Sequence, residues 1–358
     1  MLVNVNQLQE GVRIKEDIYS LTKNPIVPKG TIVTKEIVSV LRAFLVETVN
    51  VEEPLVKGKK LLKSTEKKQK NSKIKHSVFE KKYLHAVQQF KKEFHHWQAG
   101  STVNVNTIRN IIIPLLELTK KTPTRLLFIQ QFFSEEDYLY HHSVSLGLIS
   151  AYFAYKLNMP KADCFQIALA GILCNCGLAK SDLKRVSIFN MSKEQELELK
   201  MHPINSYKML QNIPSLNHGV KVAIFQHHER LDGSGYPTGE KENKIHPYAK
   251  IIAIVDEYIQ FSYNFKSESK NNIFHVIDQL RHEKFGSLDI SLLNKFTEIF
   301  LSFTVNLNVL LSNEQIGEII YLNPMNLTNP FIKVVNTEKI LSIPTDGIYI
   351  KQLLYELD

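Results

Sequence analysis

Gln226-His227-His228-Glu229-Arg230-Leu231-Asp232-Gly233-Ser234-Gly235-Tyr236-Pro237 is the stretch whose residues constrain this chain most. Two histidines close a helical run, and a turn-rich loop opens directly behind them. Taken alone, paired histidines are more often surface or satisfied core residues than ligands. Taken alone, the loop is a tight turn in which glycine supplies the positive φ that other residues resist. The joint string is far more specific than either half.

On both sides of this stretch the pattern is helix after helix. Apolar residues recur at three- and four-residue intervals over Val78–Trp97, Val105–Lys120 and Arg125–Phe133. The strongest run is Glu136–Leu157, where Tyr140, Val144, Gly147, Leu148, Ala151 and Tyr155 share one face; Asn158 closes it and Pro160 marks the break. Further helices are expected over Ala162–Leu173, Lys193–Gln211, Gly219–His228, His246–Phe261, Ile273–Arg281 and Ser291–Phe303. Residues 76–303 are therefore expected to form an all-α bundle. Residues 1–56 read as a small α+β module, with Thr31–Val33 and Thr48–Val51 as strands and Ile37–Phe44 as a helix. Residues 304–358 return to short β-type runs at Asn308–Leu311, Gly317–Leu322 and Phe331–Val335, a small β appendage.

Composition narrows the class. With 44% hydrophobic and 22% charged residues the chain has ample material for a core. The formal charge of +8 looks like a nucleic-acid signal, but residues 57–75 hold nine lysines and one acid, Glu66, and so carry the whole excess. The rest of the chain balances, and no specific nucleic-acid face is expected. The lysine run reads as a solvated linker, or as an electrostatic tether to anionic lipid or nucleic acid. The N-terminus lacks the basic and apolar regions of a secretory signal, and no apolar run approaches the roughly 18–20 residues that span a bilayer. Cys164, Cys174 and Cys176 are odd in number and clustered, which fits a reducing cytoplasm better than a disulfide framework.

The string from His227 to Pro237 resembles the defining signature of the HD-GYP branch of the HD phosphohydrolase superfamily. The resemblance covers roughly Asp137 to Ser262, about a third of the chain, and the order of elements follows it. It implies an HD-type helical bundle, here mainly α with the two small flanking modules. Tyr138-Leu139-Tyr140-His141-His142-Ser143 is similar to the family's first ligand helix, so His142 takes the place of the first metal ligand. Met201-His202-Pro203 resembles the family's His-Pro, His227 and His228 match the paired ligands, and Asp256 matches the aspartate of the helix after the loop. Asp232, Gly233, Gly235, Tyr236 and Pro237 would form the recognition loop. Imidazoles and carboxylates of this kind suit Fe or Mn, and two such ions can clamp a phosphodiester. Members of the family hydrolyse cyclic di-GMP.

The resemblance fails at two places. Where the family writes Leu-Leu-His-Asp-Ile-Gly-Lys, this chain has Ile172-Leu173-Cys174-Asn175-Cys176-Gly177-Leu178. Asn175 is neutral where the family's aspartate would bridge two ions. Cys174 is either a softer substitute ligand, favouring Zn, or a small buried hydrophobe at a helix end. Beyond Asp256, Phe265 stands in place of a phosphate-gripping arginine, with Lys266 beside it as the remaining cation. Five ligand-like positions thus support one weakly held Fe or Mn ion and not a two-metal phosphodiesterase. Losing one central ligand and its charge would remove several kcal/mol of transition-state stabilisation, on the order of thousands-fold in rate.

Two readings follow. In the first the chain is a degenerate, non-catalytic or weakly active signalling module with no catalytic residue of its own, binding cyclic di-GMP or a protein such as a diguanylate cyclase domain, and compatible with a homodimer. In the second it is an active metal-dependent cyclic di-GMP phosphodiesterase using Cys174 or Asn175 as substitute ligands. The terminal modules resemble those that flank such bundles and offer no ligand set of their own.

Overall fold

The structure is a computed structural model. It describes the chain except residues 53–76, 182–191, 265–271 and 355–358, and short gaps at 1, 6–7, 9, 20–24, 44–45, 47, 338 and 346. The lysine-rich stretch 57–75 and Lys266 therefore lie outside the described residues. Two compact units emerge, Met1–Lys73 and Ile74–Asp358.

The first unit pairs β1 (Leu2–Asn4) antiparallel with β2 (Thr48–Asn50) and carries α1 (Lys35–Ala43) between them. Val5, Ile14, Val27, Val33, Leu41, Val49 and Val51 form its own core. The strand expected at Thr31–Val33 is reduced to one bridge, between Arg13 and Ile32.

The second unit is built from α2 (Val78–Gln98), α3 (Val105–Thr119), α4 (Tyr138–Lys156), α5 (Lys161–Leu173), α6 (Lys193–Lys200), α7 (His202–Leu210), α8 (His218–Gln226), α9 (Pro247–Asn264), α10 (Ile273–Glu283) and α11 (Ile290–Ser302). Local chemistry explains their ends. Ser77 and Glu80 form a reciprocal capping box at α2, and Asn104, Asn217, Asn272 and Asp289 cap α3, α8, α10 and α11. The helix expected over Arg125–Phe133 is a 3-10 segment, Pro123–Phe132.

The single helix expected over Lys193–Gln211 is broken at Met201, with Pro203 just inside α7. Proline has no N–H to continue the ladder and disfavours helical geometry in the residue before it. The carbonyl of Leu199 would bond the N–H of residue 203, which is proline, and so it is left open to another donor.

Helices α4 and α5 cross through Gly147 and Gly171. A Cβ on Gly147 would sit 2.7 Å from the Ala168 carbonyl oxygen, and one on Gly171 would sit 2.9 Å from the Cα of Gly147. This close approach brings the start of α4 beside the end of α5. Taken with the 3-10 segment Cys176–Lys180, α5 makes a 20-residue stretch, Lys161–Lys180, long and apolar enough to span a bilayer. That corrects the expectation that no run reaches spanning length. In the fold 72% of the 18-residue apolar window within it is buried.

The chain ends in a five-stranded antiparallel sheet of β3 (Asn308–Leu311), β4 (Ile316–Asn323), β5 (Asn326–Val334), β6 (Ile340–Ser342) and β7 (Ile350–Leu353), ordered β6-β5-β4-β3-β7. Inward residues Val309, Leu311, Ile319, Ile332 and Val334 join the same core as the helices. The expectation of three strands missed β6 and β7, and began the third at Phe331 where the strand starts at Asn326. Residues 326–330 alternate between the two faces of the sheet, and pairing with β4 makes them a strand.

Candidate metal centre and recognition loop

His202 and His227 stand at helix ends, and that position fixes their protons. His202 opens α7, and its Nδ1 lies 2.6 Å from the Leu199 carbonyl oxygen left open by Pro203. His227 ends α8, with Nδ1 2.7 Å from the carbonyl of Ile224. A carbonyl only accepts, so in both rings Nδ1 carries the proton and Nε2 a lone pair. Burial pushes the His202 imidazole down to about 3 and the His227 imidazole to about 4, so both are neutral at pH 7. Burial and the neighbouring His227 and His202 likewise hold His228 well below the ordinary histidine value.

The two Nε2 atoms then face each other at 3.1 Å, lone pair to lone pair. No hydrogen bond can form between them, but a cation can satisfy both. His228 packs at 4.0 Å between ring centroids from His227 and 5.0 Å from His202. Ligand atoms of His202, His227 and His228 all lie within 4.8 Å of one another, the one such group of histidine, cysteine or carboxylate side chains among the described residues. The donor chemistry therefore fits a bound metal ion, with outer hydrogen bonds that set the tautomers.

The other two expected ligands are brought close but are arranged differently. Asp256 on α9 is 1% exposed. Its Oδ1 is 2.9 Å from Nε2 of His142 on α4, a close contact not aligned as a hydrogen bond. Its Oδ2 accepts from Nε2 of Gln260 at 2.8 Å and lies 3.6 Å from Nδ1 of His228. Burial pushes the Asp256 carboxyl up, but His142, His227 and Arg230 together bring it below the usual carboxylate value. Asn175 is buried at the end of α5 with its amide nitrogen 3.3 Å from Nδ1 of His142. Cys174 is fully buried, its thiol donates to the Gly171 carbonyl at 3.1 Å, and burial pushes its ionisation well up.

The recognition loop is stapled from beneath by a side chain that motif reading passed over. The buried carboxylate of Glu229 accepts from the Thr238 N–H at 2.7 Å, the Thr238 hydroxyl at 2.7 Å and the Glu240 N–H at 3.0 Å. Arg230 donates to the carbonyls of His227 and Glu229 and pairs with Glu257 on α9, which also meets Lys284 at 3.2 Å. Asp232 caps the turn by accepting from Ser234 N–H and hydroxyl. Gly233 has φ of 81°. Gly235 is backed so closely by His228 and Arg230 backbone that no Cβ fits. The outcome is that Tyr236 stacks on His228, ring centroids 4.7 Å apart and planes 21° apart. Glu229→Ala is expected to cost about 2–4 kcal/mol, since three donors lose a buried acceptor, and to expose 232–241 to limited proteolysis. An unchanged denaturation midpoint would contradict the staple.

Sequence reading also missed Ser206. Its hydroxyl donates to the Cys174 carbonyl at 2.6 Å and accepts from the Gly177 N–H at 2.8 Å, tying α7 to the Cys174–Gly177 segment. Gln260 was detectable in principle, four residues beyond Asp256 on one helix face.

The metal-free protein should be acid-sensitive. An unfolded histidine titrates near 6.5 whereas folded His202 and His227 titrate near 3 and 4, so below pH 6.5 the unfolded chain binds more protons. Stability is expected to be full above about 6.5 and to fall, by on the order of a few kcal/mol per group, as pH drops towards 4. Urea denaturation in chelator at pH 7.5, 6.0 and 4.5 reads this directly, and a flat profile would show the rings are not buried neutral.

A helical bundle with histidines from separate helices converging beside a buried aspartate defines the HD class, and a family model described as HD domain matches residues 124–280. With the Gly-Tyr-Pro loop beside those histidines, this region is an HD domain of the HD-GYP type. It is 23% identical over 236 residues to the cyclic di-GMP phosphodiesterase PA4108 of Pseudomonas aeruginosa, covering 66% of this chain and 57% of that protein. It is 24% identical over 233 residues to the cyclic di-GMP phosphodiesterase PdeB of Borreliella burgdorferi, covering 60% of each. A 122-residue stretch, 33% of each chain, is 30% identical to a cyclic di-GMP phosphodiesterase of Thermotoga maritima. The chain thus spans three-fifths or less of the length of these relatives. The solved structure of Bd1817, an HD-GYP-type protein of Bdellovibrio bacteriovorus, superposes with TM-score 0.53 at 14% identity, covering 84% of this chain and 98% of that one, which shows the fold.

Proposed function

We propose that this chain is a cyclic di-GMP-recognising signalling module of the HD-GYP family, binding a metal ion and hydrolysing the dinucleotide slowly or not at all. The observation that carries the reading is the pairing of a fully built recognition loop with a site poor in negative charge. Tyr236 stacks on His228 beside the histidine cluster, where it would offer a ring face next to phosphate-binding positive charge. Asp256 is the one carboxylate among His142, His202, His227, His228 and Asp256, and Asn175 adds none. A bound ion would supply Lewis-acid binding of a phosphate oxygen and a hydroxide nucleophile. His202, His227 and His228 are the residues that would hold it.

The alternative, a phosphodiesterase with Cys174 as substitute ligand, is disfavoured by that residue's environment. Its sulfur is buried, hydrogen-bonded as a thiol and resistant to ionisation, whereas a ligand must be thiolate. The free, buried cysteines fit a reducing cytoplasmic setting. The relatives' substrate makes cyclic di-GMP the first ligand to test. Calorimetric titration with cyclic di-GMP should show binding abolished by Tyr236→Ala. Turnover should lie about a thousandfold below that of a fully active phosphodiesterase assayed alongside. Equal turnover would overturn the degenerate reading, and no binding would overturn the ligand.

A further inference from the structure

The five imidazole and carboxylate groups of the centre divide into two sets, and Asn175 draws the line. His202, His227 and His228 converge, with the Nε2 lone pairs of His202 and His227 turned towards each other. His142 and Asp256 face one another, with Asp256 also 3.6 Å from Nδ1 of His228. The amide nitrogen of Asn175 can only donate, so Nδ1 of His142, 3.3 Å away, must accept. The ring proton of His142 is thereby left on Nε2, the atom 2.9 Å from Asp256. A proton sits where a second cation would need a lone pair.

Charge points the same way. With Asp256 the single carboxylate among the five groups, two divalent ions would leave roughly three uncompensated positive charges in a buried site. One ion leaves roughly one. The donor set of that one position is three neutral imidazoles, which suits a borderline ion such as Zn2+ better than the harder Mn2+ or Mg2+.

Resting on the metal-binding reading above, we infer that this chain binds one zinc-class ion in the pocket of His202, His227 and His228. Asn175 excludes a second ion by holding His142 in the tautomer that carries its proton on Nε2. An aspartate at 175 would accept from Nδ1–H, free the Nε2 lone pair and add a negative charge, creating a second set of donors.

The test is metal content of the full chain by elemental analysis after chelation and dialysis against Zn2+. One zinc per chain is expected, retained in His142→Ala, lost in His228→Ala, and resistant to a roughly tenfold excess of Mn2+. Asn175→Asp is expected to take two. Two zinc ions in the unaltered chain, loss of zinc in His142→Ala, its retention in His228→Ala, displacement by Mn2+, or a folded Asn175→Asp that still takes one would each overturn the inference. If Asn175→Asp loses its helical circular dichroism, the unaltered chain and His142→Ala still decide. Cyclic di-GMP titration of the same samples keeps the two readings apart. One zinc without dinucleotide binding leaves the ion assignment standing and removes the function, and dinucleotide binding with two zinc ions does the reverse.

Discussion

Replacing His227 by alanine is expected to weaken metal binding by at least about 100-fold, which is close to 3 kcal/mol. The ring is fully buried and its Nε2 is half of the opposed lone-pair contact with His202, so nothing nearby replaces it. The same change should have a smaller effect on the metal-free protein. There the variant leaves a cavity, but it also removes an unsatisfied, desolvated lone pair from beside His202, and the two terms oppose each other. Thermal unfolding with chelator and with excess Zn2+ separates these cases: the stabilisation that zinc confers on the parent should largely vanish in His227→Ala. A variant stabilised by zinc as strongly as the parent would show that the three histidines are not the site.

Gly177→Ala should fail in the opposite manner, through the scaffold. A Cβ at this position would sit 2.5 Å from the Ser206 backbone nitrogen and press equally on the carbonyl of His202. Both are backbone atoms of α7, and no rotamer change relieves them. Helix α7 must move off the Cys176–Lys180 segment, breaking the paired bonds of Ser206 and carrying His202 away from His227. A loss of about 3 kcal/mol or more is expected in urea denaturation, with chelator as well as without. Metal affinity should fall with it. His227→Ala thus acts mainly on the metal-bound protein and Gly177→Ala on both, and a Gly177→Ala protein of unchanged stability would mean that α7 is free to slide.

The fold and much of the loop were legible from local chemistry. Helix periods, the turn at Asp232–Gly235 and the motif order from His142 to Asp256 all depend on residues near one another in the chain, where propensity and spacing act directly. The break between α6 and α7 depends on Pro203 and was within reach, but the apolar spacing running through it masked the proline. Strands β6 and β7 were not legible, because three- and four-residue strands owe their existence to partners far along the chain.

The division of the centre belongs wholly to tertiary structure. His142, His202, His227, His228 and Asp256 stand as five similar ligands in the sequence. Helix packing alone decides that the lone pairs of His202 and His227 meet, with His228 beside them, and that His142 meets Asp256. Likewise Asn175 announces its neutral charge in the sequence, but only the glycine-mediated crossing of α4 and α5 sets its amide against Nδ1 of His142. The physical reason is range: a side chain's charge and hydrogen-bonding capacity are local properties, whereas which nitrogen carries the proton is fixed by whatever partner the fold delivers.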